Sequence, residues 1–542
     1  MKPESGRGSA RAGEWLAWMV FAITILVPIW WGAHGRYPWD VDGIAPGAVL
    51  HRMASGFAFG QVTTYPPLPY YMVALVYAPA LLLLRLVGEL GKPASEYPWG
   101  FRNPQASMTA LVVLARLVTA SLAAGIVWLG VRRARADGLR NGGWIVPTLA
   151  LGAPTLLFYG RTTNTDLPYV FWLFLGFALL ETPAGQRRSW TLAGAAIAAT
   201  LALTSKEQSV SVAAVIIAFA AYFAWSGRAA TGATETTDAR TARTATRSRA
   251  TPNWGAALLV LLSAALAYAV VWRLPFDWSG YSQHVHIELT SSGQGGLVDS
   301  RHFGLTPSGI AGIAWQYFLL LPVLVGWPIV IGVLAAVFLR VGLGGLWPRA
   351  LAFALYLGTM LAVGYVRPRF ALPLLILLLP LAARGLAAGL DLLSRRAPML
   401  RAPALAAVVL LAFWGGPRLS AGMLADPRLQ AEDWIANHAA AGAVVEIGGN
   451  PCFSARVPPS MTTLPSRSKT LLANPRGPVG DFVLISSLDR WVYDEPDLHA
   501  MWWDPLMNSG HYRMVAQFDQ PAFVSDLAEL RIAPTIWVYQ RE

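Results

Sequence analysis

The apolar run WLAWMVFAITILVPIWWGA, residues 15–33, and the loop after it, which begins YPWDVDG at Tyr37 and ends YPPLPYY at Tyr71, set the plan of this chain. At about 1.5 Å per residue, a helix over the run crosses most of a ~30 Å hydrocarbon core. The loop places two carboxylates, Asp40 and Asp42, beside that first span. An acidic side chain next to a bilayer is costly unless it faces water, a cation or a substrate, so the pair predicts a functional site.

Composition indicates a polytopic membrane protein. Of the 542 residues, 55% are hydrophobic and 13% are charged, against about 25% charged in ordinary soluble domains. The formal net charge of +12 does not indicate nucleic acid, because the arginines cluster in short loops between apolar runs, as orientation by the positive-inside rule requires. The single cysteine, Cys452, excludes an intrachain disulfide, and without a Cys/His cluster there is no zinc-site pattern.

The apolar runs and arginine-rich loops predict about eleven spans, with the N-terminus cytoplasmic and the C-terminus outside. The first run ends in bulky residues and should remain as an anchor. An arginine cluster follows residues 108–131, so that run travels inward, and residues 68–84 are predicted to lie at the outer face as a juxtamembrane helix. The predicted spans are residues 15–33, 108–131, 143–160, 167–180, 190–204, 207–225, 254–272, 309–339, 351–366, 370–390 and 402–414.

Two domains are predicted. The membrane domain covers residues 1–418, with extracytoplasmic loops at 34–106 and 274–307 and a low-complexity cytoplasmic loop at 227–253, which we expect to be disordered. From residue 419 the composition becomes that of a soluble domain, and residues 419–542 predict a small extracytoplasmic α/β domain. Its expected elements are a helix at 432–440 and strands at 443–447, 481–486, 512–518 and 535–539.

This topology brings the unusual polar residues of the chain to the extracytoplasmic face. Cations there run against the positive-inside rule, so their placement needs a reason. A phosphate would supply one, because arginine binds it in bidentate fashion and lysine as a point charge. A nearby carboxylate could act as general base or metal ligand. The residues concerned are Asp40, Asp42, Arg161, Asp166, Lys206, Glu207, His284, His286, Glu288, Arg367 and Arg369.

Five short motifs follow one another along the membrane domain: DVD at 40–42, YPPLPYY at 65–71, RTTNTDLPYVFW at 161–172, TSK at 204–206 and RFALP at 369–373. In kind and order they resemble GT-C fold glycosyltransferases, in particular the dolichyl-phosphate-mannose protein mannosyltransferase and lipid A aminoarabinose transferase group. The resemblance covers roughly the whole membrane domain. It implies an integral inner-membrane enzyme that moves a sugar, with inversion, from a polyprenyl-phosphate donor to an extracytoplasmic protein, lipid or cell-envelope glycan.

The resemblance also implies residue roles. An acidic residue of the first extracytoplasmic loop would be the base, and a single carboxylate suffices for inversion because the phosphate leaves already ionised. The family has a glycine about fourteen residues after this acid, and Gly56 favours Asp42, with Asp40 as the alternative. The family's Glu after the Asp is absent here. The phosphate-contacting positions and the second acid match Lys206, Arg369 and Asp166.

Purely structural roles are open to these residues as well. Asp40 and Asp42 could cap a helix that starts near Ala45. Arg161 and Asp166 could form a structural ion pair. Lys206 could snorkel to the interface.

A buried arginine and a group of aromatic side chains near the predicted site also need an explanation. Arg116 lies within a predicted span and should face the protein interior, where it would have an acidic partner. Tyr65 and its aromatic neighbours could stack on a sugar or sit at the membrane interface.

His284 and His286 would share a face if they lay in a strand, and with Glu288 they could bind a metal or an acceptor, or else belong to a solvated loop. A divalent cation such as Mg²⁺ or Mn²⁺ is therefore possible. Two further functions stay open: a transporter or flippase of a lipid-linked glycan, which predicts inverted repeats with interrupted helices, and a non-catalytic scaffold whose terminal domain binds a partner.

Overall fold

Long apolar helices make up most of the chain. The computed structural model describes residues 5–33, 37–40, 43–57, 65–183, 186–226, 252–291, 306–341, 347–363, 366–466, 476–489 and 496–542. Within these ranges, eight helices are long and apolar enough to cross a membrane, and four shorter apolar helices accompany them. The polytopic helical architecture is therefore confirmed, while the sidedness of the termini stays a prediction. The predicted loop at 227–253 lies outside the described residues, except for its last two positions.

The helices of the membrane domain follow the predicted runs closely. In chain order they are α1 (Ser5–Leu26), α2 (Pro46–Ala54), α3 (Leu68–Leu86), α4 (Pro104–Ala136), α5 (Gly142–Leu151), α6 (Pro154–Tyr159), α7 (Asp166–Leu180), α8 (Ser189–Leu203), α9 (Val210–Trp225), α10 (Trp254–Trp272), α11 (Trp278–Ser291), α12 (Pro307–Val325), α13 (Trp327–Phe338), α14 (Trp347–Val363), α15 (Leu372–Arg396) and α16 (Pro398–Leu424). The helix α16 continues past residue 418, where the sequence predicts the domain boundary.

Two predicted spans are interrupted, and the interruptions touch each other. Residues 143–160 form α5 and α6, and residues 309–339 form α12 and α13. The second break lies at Gly326, which has φ +92°, and a Cβ there would lie 1.8 Å from the carbonyl oxygen of Gly152. Thr155 Oγ1 also donates a hydrogen bond of 2.6 Å to Leu324 O across this junction. The junction is packed backbone to backbone, which leaves no room there for a transported substrate.

The helix α3 is among the eight candidate spans by length and composition. Its buried side chains, including Tyr70 and Tyr77, pack against the first turns of α4 at Met108 and Leu111. Helix α4 has 33 residues, so at about 1.5 Å per residue it extends roughly 20 Å beyond a ~30 Å core. Contact with the first turns of α4 supports the juxtamembrane position of α3, which stays a prediction.

An ionic network joins the helix ends that are predicted to be cytoplasmic. Arg349 binds Glu181 in bidentate fashion, with N–O distances of 2.6 and 3.0 Å. Arg133 lies 3.0 Å from Asp137 and 3.6 Å from Glu181. Arg384 lies 2.7 Å from Asp137. The network connects α4, α7, α14 and α15, so these arginines stabilise the helix packing in addition to any role in orientation.

The C-terminal domain is an α/β unit, as predicted. It consists of α17 (Pro427–His438) and a sheet of β1 (Val444–Gly448), β2 (Thr462–Ser466), β3 (Phe482–Ser486), β4 (Tyr512–Phe518) and β5 (Ile536–Arg541). The strand order is β2-β1-β3-β5-β4. The first three strands are parallel, and β5 is antiparallel to both of its neighbours. Strand β2 was not predicted; it contains Pro465 and lies at an edge, where proline is tolerated.

Candidate functional site

The predicted site is built around a buried carboxylate between α1 and α2. Asp40 Oδ1 lies 3.2 Å from Nη2 of Arg116, and both side chains are buried. Its Oδ2 accepts a hydrogen bond of 2.9 Å from the backbone N–H of Thr163. Gly43 lets the loop around Asp40 and the turn around Thr163 pack this closely, because a Cβ at Gly43 would lie 2.6 Å from the carbonyl oxygens of Asp40 and Thr163. Asp40 therefore ties the loop between α1 and α2 to the turn before α7.

Arg116 faces the interior with an acidic partner, as predicted. Its Nη1 also donates hydrogen bonds of 2.7 and 2.6 Å to the carbonyl oxygens of Ile29 and Trp31. One guanidinium thus holds both the end of the first span and Asp40. The predicted capping role is wrong for Asp40, because α2 starts after Ala45 with no side-chain cap hydrogen bond. Asp42 lies outside the described residues, so its role as base stays a prediction.

A cavity beside Asp40, called here the Asp40 cavity, brings predicted residues together. Its lining includes Asp40, Gly43, Asn164, Arg367 and Arg369. A short 3₁₀ helix at Pro368–Ala371 precedes α15, with Arg367 in extended backbone before it. This local turn presents both arginines of the Arg-Pro-Arg sequence to the same cavity. Two predicted cations and one predicted acid therefore share one site.

Two residues that the sequence singled out separately, Lys206 and Asp166, form a buried salt bridge. Lys206 is 3% exposed, so the predicted snorkelling is wrong. The ammonium nitrogen lies 5.8 Å from the ring centroid of Tyr65 and 6.0 Å from that of Tyr169. Oδ2 of Asp166 is buried and accepts no hydrogen bond from the described residues. A buried oxygen without a hydrogen bond costs free energy, so a ligand that donates a hydrogen bond to it would be stabilised.

The two sites lie close to each other. Thr163, in the buried turn before α7, contacts Asp40. Asp166, the first residue of α7, contacts Lys206. Asn164, which lines the Asp40 cavity, is two residues before Asp166 in the chain. The geometry therefore brings Asp40, Asp166, Lys206, Arg367 and Arg369 into one neighbourhood.

Arg161 belongs to a different environment. Its Nε donates to Leu157 O at 2.8 Å, and its Nη1 donates to Thr24 O at 3.2 Å and to Ser420 Oγ at 2.7 Å. The side chain is fully buried and joins α6, α1 and α16. It does not line the Asp40 cavity, and among the described residues it forms no ion pair with Asp166, so neither sequence-based role fits its place in the fold.

The histidines were expected in a strand or loop, and this expectation is wrong, because both lie in α11. Residues two apart in a helix point about 200° apart, so His284 is buried and His286 is exposed. His284 Nε2 lies 2.7 Å from Glu207 Oε1, and the two predicted residues form a pair. The side chain of Glu288 lies outside the described part. Within the described residues, no group of three or more His, Cys, Asp or Glu side chains is placed to hold a metal ion.

A second cavity lies next to this pair and is called here the aromatic cavity. Its lining includes Arg52, Tyr71, Trp272, Arg273 and Tyr281. The ring of Trp272 lies 4.7 Å from that of His284. Tyr71, an aromatic neighbour of Tyr65 in the YPPLPYY motif, therefore lies in a cavity, whereas Tyr65 is not among its lining residues; the two arginines of this cavity were missed. Each of them is a single basic residue at the end of an apolar helix, and that local pattern does not indicate a binding site.

The C-terminal domain covers Trp39, the neighbour of Asp40. The guanidinium carbons of Arg428 and Arg456 lie 4.1 and 5.0 Å from the Trp39 ring centroid. Asp426, which is fully buried, binds Arg428 at 2.7 Å and accepts a hydrogen bond of 2.9 Å from Trp31 Nε1. The sequence could not show this contact, because nearly 400 residues separate Trp31 from Asp426.

No protein-family model matches the chain, and no curated protein matches it. In structure it is similar to the apo oligosaccharyltransferase of Archaeoglobus fulgidus, with 13% identity and a TM-score of 0.42 over 79% of this chain. The chain spans 58% of the length of that protein.

Two further solved structures are similar over nearly the whole chain. ArnT from Cupriavidus metallidurans bound to undecaprenyl phosphate has 14% identity and a TM-score of 0.41, covering 96% of this chain and 98% of that one. The Archaeoglobus fulgidus oligosaccharyltransferase AglB, in complex with an inhibitory peptide and a dolichol-phosphate, has 11% identity and a TM-score of 0.46, covering 99% and 89%. These are GT-C fold proteins, the fold that the sequence motifs resemble.

Proposed function

We propose that the chain is an inverting membrane glycosyltransferase, which moves a sugar from a polyprenyl-phosphate donor to an extracytoplasmic protein, lipid or glycan. The observation that carries the proposal is the Asp40 cavity, where Arg367 and Arg369 lie beside a carboxylate and next to the Lys206–Asp166 pair. Clustered guanidinium groups are suited to a phosphate, which they bind with charge-assisted hydrogen bonds.

In this proposal Asp42 is the base and Asp40 is a positioning residue. Both oxygens of Asp40 already have donors, from Arg116 and from the N–H of Thr163. An acceptor hydroxyl gives its proton to Asp42 as its oxygen attacks the anomeric carbon from the face opposite the phosphate. The bond between that carbon and the phosphate oxygen breaks, and Arg367 and Arg369 stabilise the negative charge that the leaving polyprenyl phosphate gains.

We place the acceptor or the donor sugar at the aromatic cavity. Aromatic rings supply faces for a sugar ring, while Arg52, Arg273 and Asp277 supply hydrogen-bonding groups. The neighbouring Glu207–His284 pair helps to position Trp272, whose ring contacts that of His284. The described residues carry no metal cluster, so the proposal includes no step through a divalent cation.

The test is transfer of label from undecaprenyl-phosphate and dolichyl-phosphate sugars in membranes that contain the chain. Asp42→Asn should lower transfer at least about 100-fold, the usual contribution of a general base. Asp433→Asn, at an exposed position of α17, is the matched control and should leave transfer unchanged. Full activity of Asp42→Asn would remove Asp42 as base, and full activity of Asp40→Asn as well would overturn the mechanism.

The same membranes test the flippase and the scaffold. A scaffold would bind the donor without transferring its sugar to any acceptor. A flippase would move labelled lipid between leaflets of vesicles without forming product. The closed junction between Gly152 and Gly326 argues against a transport path through the interrupted helices.

A further inference from the structure

The last loop of the C-terminal domain packs into the membrane domain. A 3₁₀ helix at Ala522–Leu530 precedes β5. Apolar side chains of this helix and of the residues after it are buried in the core of the membrane domain, not in the clusters that flank the sheet. They include Val524, Leu527, Leu530 and Ile532. The segment is therefore a shared part of both domains.

Polar contacts hold this segment at both ends. Arg418 of α16 binds Asp526 in bidentate fashion, with both N–O distances 2.8 Å. The backbone N–H of Ala533 donates a hydrogen bond of 3.2 Å to Oδ2 of Asp426. The hydrogen bonds at Asp526 and Ala533 thus fix the position of the residues between them.

Within the segment, Arg531 and Ala533 have φ values of 57° and 47°. This left-handed region is unfavourable for residues with a side chain, and such residues persist where tertiary contacts impose the conformation. Asparagine or glycine would adopt it more readily. An arginine is not the residue that this backbone conformation favours, so we expect a functional role for Arg531.

Arg531 lines the Asp40 cavity together with Arg367 and Arg369. Its guanidinium carbon lies 5.4 Å from the ring centroid of Phe453, which comes from the loop after β1. The described lining thus contains three arginines and one carboxylate, Asp40, which also binds Arg116. Guanidinium groups that converge on one small cavity form a site suited to an anion such as a phosphate.

We propose that Arg531 is a third cation of the donor-phosphate site, so that the C-terminal domain completes a site that the membrane domain only begins. This proposal rests on the proposed function, because it assumes that the anion is the phosphate of a polyprenyl-phosphate lipid. It gives the C-terminal domain a role in donor binding. The strained backbone of the segment directs the arginine into the cavity.

The test compares binding of undecaprenyl phosphate with binding of the neutral lipid undecaprenol to the purified full chain. Arg531→Asn removes the cation and suits the left-handed conformation, so its thermal unfolding midpoint should be at least that of the wild type. We expect about tenfold weaker binding of undecaprenyl phosphate, as for loss of one charge-assisted contact, and unchanged binding of undecaprenol. Arg531→Lys should recover part of the loss.

Ala533→Gly is the matched control, because it relieves the same kind of backbone conformation two residues away and leaves the cation in place. It should bind undecaprenyl phosphate like the wild type. Wild-type affinity of Arg531→Asn would overturn the role of Arg531 and leave the proposed function standing. Failure of the wild-type chain to prefer the phosphorylated lipid would instead overturn the donor assignment, and this proposal with it.

Discussion

Asp40 Oδ1 and Arg116 Nη2 lie 3.2 Å apart with both side chains buried, and they join the loop between α1 and α2 to the middle of α4. Breaking a buried pair leaves a charge without its partner, so Arg116→Met should destabilise the chain by about 3–5 kcal/mol. The double variant Arg116→Met/Asp40→Leu should recover most of that loss. Thermal unfolding of the single and double variants measures the coupling, and additive effects would contradict a direct pair.

The Lys206–Asp166 pair should be separable into stability and function. Lys206→Met leaves Asp166 buried without its cation and should lower both the unfolding midpoint and the affinity for undecaprenyl phosphate. Adding Asp166→Leu should restore stability but not lipid binding, because the phosphate contact is still missing. The matched control is the double variant of the distant pair, Arg349→Met/Glu181→Leu, which should bind the lipid normally. Equal lipid affinity in all variants would exclude Lys206 from the donor site.

Trp39 should couple the C-terminal domain to the proposed donor site. Trp39→Leu removes the ring that Arg428 and Arg456 contact, and each desolvated cation–π contact is worth about 1–2 kcal/mol. We expect faster proteolysis between α16 and β1 and weaker donor binding. Trp15→Leu, at a position that is 76% exposed, is the control and should change neither. Unchanged proteolysis of Trp39→Leu would show that the domain is held by different contacts.

The aromatic cavity should affect the acceptor more than the donor phosphate. Arg52→Gln removes a cation that lies 4.0 Å from the Tyr70 ring centroid. We expect a higher KM for the acceptor, with the affinity for undecaprenyl phosphate unchanged. Steady-state transfer at varied acceptor concentration measures this, and Gln283→Ala at an exposed position of α11 is the control. A change in lipid affinity alone would move the donor phosphate to this cavity.

Gly326 should be indispensable to the contact between the interrupted helices. Gly326→Ala would place a Cβ 1.8 Å from Gly152 O at a backbone φ of +92°, so we expect poor folding or a strongly lowered unfolding midpoint. Gly358→Ala is the matched control, since a Cβ there has nothing within 4 Å. Because alanine is favoured over glycine in helices by up to about 1 kcal/mol, that variant should be neutral or slightly stabilised. Normal stability of Gly326→Ala would contradict the packed junction.

Local patterns were sufficient to predict most of the helices and most of the sheet. Apolar runs delimit α4 and α9 because a spanning helix must be apolar along its whole length. The inner strands β1 and β3 were predicted because short, mostly apolar runs are typical of buried strands. The edge strand β2 and the largely polar helix α11 carry weaker local signals, and both were missed.

For the site, sequence reasoning indicated residue types but not their partners. Arg367 and Arg369 were predicted as cations of a phosphate site, and they line the cavity beside Asp40. Arg161 belongs to the same class of residue by sequence, yet its guanidinium binds carbonyl oxygens and a serine hydroxyl in the core. Nothing local distinguishes these arginines, because the difference lies in which distant elements pack around each one.

The sequence by itself determined that this is a polytopic helical protein with a terminal α/β domain, since hydrophobic length and strand patterning are local properties of the chain. Only the tertiary structure decided that Asp40 binds Arg116, that Lys206 binds Asp166 and that Arg531 of the last loop lines the Asp40 cavity. These contacts join residues that are far apart in sequence. The two ion pairs depend on the helix packing, and the position of Arg531 depends on the docking of the terminal domain; no local pattern encodes either of them.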